Sequence, residues 1–396
     1  MSKKAYIILG GLLLLIVIAG VTLAVISKKS TKTTTLPTTT TTRTTTTTGT
    51  TPTTSTTTTT TTGNKPSGNA TTDALVRRTT DQVISPILSF KGNEVWYFTP
   101  DGNLEQLDLT TANLKKYVLP KALTVSSAIW PSQGSDFIIT SVNPDGSKTF
   151  NYYSSTSKSF TAYPANVKEV QFMPSGNQVV YVWDNGNKTS SLSIADPSLS
   201  NHKQLLASMP EADDTLVISP LGDRILMYDS SSPTNNKLYL MAFSDNKPHT
   251  IKTGPENAAI WSNDGQRFVF NKFNPAVTTD TTLWLGSVSG AKSDISLGIT
   301  VPVSKVAFDT TGATMYYGAP DSNAASGAAA SDAAPNQSLS LADSLWSYAV
   351  GTATKTELFS GNTYNLNVSN LLVSNDQKNL YFKNSDGYLY SAVVSK

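Results

Sequence analysis

The sequence predicts an all-β fold: a seven-bladed β-propeller of four-stranded antiparallel blades, preceded by one transmembrane helix and a disordered Thr-rich linker. Three observations lead there. One is an uncharged apolar run near the N-terminus. The next is a tract made almost wholly of threonine. The last is a glycine-marked unit that recurs about every 43 residues, the period of a propeller blade.

Ala5 to Ile26 reads AYIILGGLLLLIVIAGVTLAVI, 22 residues without a charge. That is long enough for a hydrocarbon core of about 30 Å. A cleaved signal peptide would carry a shorter apolar core, roughly 7–15 residues, and a small-x-small site. Val25-Ile26-Ser27-Lys28 offers no such site. Behind a short tail at 1–4, residues 5–27 are therefore expected to stay as a signal anchor. Lys3 and Lys4 precede the run and Lys28 and Lys29 follow it, so flanking charge barely sets orientation. The short leader and the linker favour an N-in anchor with the remainder extracytoplasmic, a single-pass protein of the cell membrane.

The linker spans 28–72. Thr31 to Thr62 holds 25 Thr among 32 residues, too few apolar side chains to offset the entropy of ordering. Tracts of this composition form stalks that are often O-glycosylated. Extended as polyproline II at about 3.1 Å per residue, the linker would reach roughly 140 Å.

From 73 to 396 the chain is repetitive. Turn glycines lie at Gly92, Gly134, Gly176, Gly222, Gly265 and Gly312, and Gln377 takes that place in a seventh unit. Four residues before each stands an apolar or aromatic side chain: Leu88, Trp130, Phe172, Ile218, Trp261, Phe308 and Val373. The third, fourth and fifth positions after it are apolar in every unit, as in Val95-Trp96-Tyr97 and Phe268-Val269-Phe270. Such an unbroken run marks a strand buried on both faces. Third strands are expected at 104–109, 192–195, 238–243, 283–288, 345–350 and 389–394, with weaker fourth strands such as 114–119 and 249–252. The seventh unit runs out after its third strand, so 71–77 is expected to supply the fourth and close the ring, leaving no raw edge.

Units such as Ile218-Ser-Pro-Leu-Gly-Asp-Arg-Ile-Leu-Met-Tyr228 and Trp261-Ser-Asn-Asp-Gly-Gln-Arg-Phe-Val-Phe270 resemble the repeat of TolB-like propellers, relatives of the WD-repeat class. The resemblance covers roughly 300 residues of scaffold. It implies a bacterial periplasmic or surface interaction module and carries over no catalytic residue. The Trp183-Asp184 dipeptide stands in one unit only, so a full WD signature is missing.

Composition removes several chemistries. Charged residues make up 15%, against roughly 25% in typical soluble domains. Formal charge is +2, so no basic footprint for nucleic acid exists. There is no cysteine, hence no thiolate nucleophile, disulfide or Cys-ligated metal. His202 and His249, the two histidines, fall in outer-strand regions. Asp-Gly pairs at 101, 145, 264 and 386 read as turns rather than calcium loops. Gly286 to Gly290 reads GSVSG, with Val at the nucleophile place of a hydrolase elbow. Trp130 and Trp261 share one repeat position and read as packing wedges.

No cofactor and no catalytic residue is therefore expected, and the protein is read as a non-enzymatic binding or scaffold module. Its target would be a protein or cell-envelope glycan. The alternative is a propeller-type hydrolase or lyase acting on surface polysaccharide. Long segments between second and third strands at 229–237, 271–282 and 318–343 are expected to crowd one rim. Asp229, Asn235, Asn271, Asn274, Asp321 and Asn336 are the candidate partner-binding residues there.

Overall fold

The computed structural model describes residues 75–210, 214–229, 237–253, 256–274, 277–289, 294–320, 342–360 and 365–394. The chain divides into a unit of Met1–Ser67 and a unit of Gly68–Lys396. The expected tail, transmembrane helix and linker (1–4, 5–27, 28–72) lie outside the described residues. Among those described, no helix is long and apolar enough to cross a membrane.

The second unit is a seven-bladed propeller, seven four-stranded antiparallel sheets. Blade 1 is Ile84–Leu88, Glu94–Phe98, Leu104–Asp108 and Leu114–Tyr117, taken in chain order from the axis outward. Blades 2 to 6 repeat that order. Blade 7 joins Ser369–Val373, Asn379–Lys383 and Leu389–Val393 to an outer strand drawn from the other end of the domain, Leu75–Arg77. Leu75 pairs with Ala392, Val76 with Ser391 and Arg77 with Tyr390. The expected closure therefore holds, over three residues.

So short a strand needs anchors beyond its ladder. The Arg77 guanidinium lies 3.4 Å over the Tyr388 ring, and its Nε donates to the Thr79 carbonyl at 2.8 Å. The Arg78 amide donates to Leu389 O at 2.7 Å, and Arg78 Nε to Ser391 Oγ at 2.6 Å. Thr79, 5% exposed, accepts from the Leu389 amide at 3.1 Å. Blade 7 is thus held by a strand, a cation–π contact and two arginine side chains.

The core is seven hydrophobic clusters, one in each seam between neighbouring blades. Alternate side chains of each second strand serve opposite seams. Val95 and Tyr97 of blade 1 enter the seam with blade 7, while Trp96 and Phe98 enter the seam with blade 2. In blade 4, Ile225 and Met227 face blade 3, and Leu226 and Tyr228 face blade 5. A strand with water on one face would alternate apolar with polar; these strands have no wet face, which is why their runs are unbroken. Each fully buried side chain of this size contributes about 1.5–3 kcal/mol.

The turn between first and second strands is also built the same way from blade to blade. In blade 5, Ser262 N donates to Arg267 O at 2.9 Å and Gly265 N to Ser262 O at 2.9 Å. Ser262 Oγ donates to Asp264 at 2.5 Å and accepts from the Arg267 amide at 3.0 Å. Blade 7 repeats this with Ser374, Asp376 and the Asn379 amide. The Ser374 hydroxyl and the Lys378 amide hold the Asp376 carboxyl below its ordinary value. The six turn glycines have φ between +65° and +102°, and Gln377, in the seventh, has φ +59°. The turns pack in a ring, all but that of blade 2 against the turn of the preceding blade. A Cβ on Gly265 would stand 2.8 Å from Leu221, and one on Gly312 would stand 2.9 Å from Asp264.

Trp130 and Trp261 are wedges, as their shared position suggested. Each gives its indole N–H to the first strand of the preceding blade, Trp130 to Ser85 O and Trp261 to Val217 O, both at 2.8 Å.

Two expectations follow. A left-handed conformation costs a non-glycine residue roughly 1–2 kcal/mol, and the Gln377 side chain reaches Thr310 Oγ1 at 3.3 Å from an exposed position. Gln377→Gly should therefore raise stability by about 0.5–1 kcal/mol after the entropy of the unfolded glycine is allowed for. A urea midpoint that rises checks this, and one that falls refutes it. Deleting residues 1–78 should lower the unfolding midpoint and expose the edge of Leu389–Val393. Faster amide exchange in that strand than in the third strands of other blades is the reading expected.

Candidate functional site

The predicted rim is only partly within the described residues. Asn235, Asp321 and Asn336 lie outside them. Asp229 ends the second strand of blade 4, in register with Asp214. Asn274 ends the second strand of blade 5, in register with Val277. Here the expectation of a loop at 271–282 is corrected. The second and third strands run on as Arg267–Asn274 and Val277–Ser287, pairing Lys272 with Thr282 and Phe273 with Thr281. The stretch reads NKFNPAVTTDTT, mostly polar with a proline in it, and such a composition looks like loop sequence.

Asn271 is corrected as well. It is 2% exposed and faces inward. Its Nδ2 donates to Val301 O at 2.8 Å, and its Oδ1 accepts from the Val303 amide at 2.8 Å. The side chain fixes the short 3-10 turn Val303–Lys305 that leads into blade 6. From that turn Lys305 reaches Asp343 at 3.0 Å, with the two side chains 11% and 1% exposed. Asp343 also accepts from the Val368 amide at 2.7 Å, so one carboxylate ties blade 6 to blade 7 at the base of the segment 321–341.

A second buried acid works alike. Glu105 is 0% exposed; it accepts from Tyr97 Oη at 2.8 Å and lies 2.7 Å from Lys116 Nζ. Burial, then the bond to Glu105, raises the Tyr97 phenol far above its ordinary value, so the tyrosine stays a donor. At Asp136 burial opposes ionisation, but the hydroxyls of Ser155 and Tyr152 and the Ser155 amide outweigh it and keep the carboxyl low. Of the Asp-Gly pairs, those at 145, 264 and 386 spend their carboxylates on nearby amides, Ser147 at 2.9 Å, Gln266 at 3.0 Å and Tyr388 at 3.2 Å. His202 and His249 are exposed, as expected. Among the described residues, no group of three or more His, Asp or Glu could hold a metal ion.

The most distinctive surface feature lies where sequence reasoning did not look, on the face of the turn ring. The ring is interrupted between blades 1 and 2. Gly134 would meet only Pro131 of its own turn, at 4.0 Å, whereas Gly92 and Gly176 would each meet an atom of the preceding turn at 2.6 Å. Pro131 stands where blade 5 has Ser262, and without an N–H it cannot make the bond that pins the other turns. Gly134 accordingly opens to φ +102°. The blade 1 turn is drawn the other way, since Asn375 Nδ2 donates to Phe90 O at 3.2 Å.

Between the two turns is a cleft of about 300 Å³, whose lining includes Ser89, Phe90, Lys91, Glu94, Trp96 and Trp130. Phe90 is 70% exposed. Ser89 Oγ is buried with no hydrogen-bond partner, a state that costs a hydroxyl about 1–3 kcal/mol. Ser262 and Ser374 meet an aspartate two residues on; Ser89 meets Lys91 instead. The walls are stiffened by stacked rings, Trp96 on Tyr117 at 5.1 Å and Trp130 on Phe98 at 5.5 Å. A signal was present in the sequence. At the second position before the turn glycine the units read Phe90, Ser132, Pro174, Pro220, Asn263, Thr310 and Asn375, and an aromatic residue at an exposed turn tip has no packing reason.

No family model matches the chain, and no curated protein matches it. Solved structures do. An oligogalacturonate lyase in complex with manganese is 12% identical, with a TM-score of 0.56, covering 81% of this chain and 93% of that one. The oligogalacturonate lyase of Vibrio parahaemolyticus is 10% identical, with a TM-score of 0.57, covering 81% and 94%. The Cps50 (Swd1) β-propeller domain of Myceliophteria thermophila is 11% identical, with a TM-score of 0.55, covering 81% and 100%. At these identities the likeness shows the propeller fold.

One expected outcome separates scaffold from site on the rim. Asn271→Ala should lower stability by about 1–3 kcal/mol, because it strands the Val301 carbonyl and the Val303 amide. Denaturant unfolding measures it, and a neutral result would refute the bracing role of Asn271.

Proposed function

We propose that this protein is a membrane-tethered, extracytoplasmic β-propeller that acts as a non-catalytic binding or scaffold module for a cell-envelope or surface protein or glycan. The observation that carries the reading is how the buried acids are used. Glu105 and Asp343, 0% and 1% exposed, hold strands and blades together through Tyr97, Lys116, Lys305 and the Val368 amide. General acid–base work needs a carboxyl within hydrogen-bond reach of a substrate, and these two are committed to the scaffold. The apolar run at 5–26 and the Thr tract after it support a tether and spacer. Near-zero formal charge favours recognition by shape and hydrogen bonding over long-range steering.

Two structural neighbours that are oligogalacturonate lyases favour a second reading, a propeller lyase or hydrolase acting on surface polysaccharide.

The test uses the full-length chain. In a membrane preparation it should resist carbonate extraction, and its propeller should be open to protease added from outside. Cross-linking in intact cells, followed by purification in mild detergent, should recover one envelope component in fixed ratio. Incubation with polygalacturonate and manganese should release no unsaturated oligosaccharide. Release of such products would replace the binding reading with the lyase.

A further inference from the structure

We propose that the cleft between the first turns of blades 1 and 2 is a binding site for a neutral pyranose unit of a glycan. The assignment rests on the binding reading and names its ligand class. Four features carry it. First, the cleft exists because two turns part company at one junction of an otherwise packed ring, through Pro131, Gly134 and the bond from Asn375 to Phe90 O. Second, its lining is aromatic: Trp96 and Trp130, each stacked from inside the seam, and the exposed Phe90. Aromatic faces are electron-rich, and the axial C–H bonds of a sugar ring carry the complementary partial charge. Phe90, at 70% exposure, is a large apolar side chain left in water at the cleft.

Third, the polar lining offers both donors and acceptors. Lys91 and the Asn93 amide donate, and Glu94 accepts. Ser89 Oγ, buried and without a hydrogen-bond partner, can do either. Lys91 and Glu94 cancel in charge, which suits hydroxyls better than an acidic sugar. Fourth, the backbone of the blade 1 turn is already paired, Ser89 N to Glu94 O and Gly92 N to Ser89 O, both at 2.8 Å. A peptide added as an extra strand needs open main-chain groups and finds those of this turn occupied. About 300 Å³ is at the small end of ligand clefts and suits one sugar ring with its neighbour outside.

The probes are methyl pyranosides of gluco, galacto, manno and N-acetylgluco configuration, the methyl glycoside of galacturonate with its carboxylate free as the acidic control, and a proline-rich peptide. Binding to the detergent-solubilised full chain is followed by saturation-transfer NMR and by tryptophan fluorescence. At least one neutral pyranoside should bind saturably and perturb tryptophan emission. Phe90→Ala, at an exposed position, should weaken it about tenfold or more with an unchanged unfolding midpoint. Ser89→Ala should weaken it while leaving the fold as stable or more so. Ser132→Trp, which fills the cleft from an exposed site, should abolish it. The proposal is overturned if no neutral pyranoside binds, if binding survives Phe90→Ala and Ser132→Trp, or if the acid or the peptide binds in preference. Deleting 321–341 should leave sugar binding intact. An empty cleft with cross-linking in cells preserved sinks this site alone, whereas loss of cross-linking with sugar binding preserved sinks the scaffold reading.

Discussion

Every blade of this protein is covered on both sides by another blade, and most of what the chain does follows from that constraint. A sheet with two dry faces needs strands that are apolar at consecutive positions. Val179, Val180, Tyr181 and Val182 meet it by sending side chains alternately into the blade 2 and blade 4 seams. Seven separate clusters result, each too small to be a domain core alone. The ring has to be complete for any of them to be sealed. Closure by Leu75–Arg77 is therefore a condition for the other seams.

The same constraint explains where polar groups are buried. A seam filled by hydrocarbon gives strands freedom to slide, and directional bonds remove it. Asn271 and the two wedge tryptophans bond main-chain groups outside their own ladders, Asp343 ties the third strand of blade 6 to the Val368 amide, and Glu105 pins the third strand of blade 1 to Tyr97 and Lys116 on either side. Their partners are mostly main-chain groups, whose positions depend little on which side chains surround them. These residues would stand out in a search for buried acids and amides, yet their geometry is that of brackets.

Blade number, second strands and the closing strand were legible in the sequence because they are periodic. Gln377 was readable as a displaced glycine for that reason, and its left-handed backbone matches the six glycines. Asn271 was not legible. One polar residue after Phe268-Val269-Phe270 looks like the start of a loop, and only the third dimension shows Val301 and Val303 waiting for it. Third strands were placed in six blades to within a few residues at most ends, and the outer strands at 114–119 and 249–252 were placed too; the third strand of blade 2, Lys148–Ser154, was not, since a blade's periphery is half exposed and its pattern weak. The cleft was missed for a different cause. It arises from what Pro131 cannot donate and what Lys91 replaces, and departures from a repeat read as noise until a surface gives them a place.

The outer strand of blade 7 is also the point at which the preceding 74 residues enter the propeller. Any tension borne by that segment arrives at Leu75 and its partner Ala392, then passes to the Arg77–Tyr388 stack and the Arg78–Ser391 bond. In a tethered protein, as proposed above, the clasp of the ring would also be its mooring. Mechanical load and structural integrity share one short strand, and a pull strong enough to free it would unlatch the blade on which the whole circle closes.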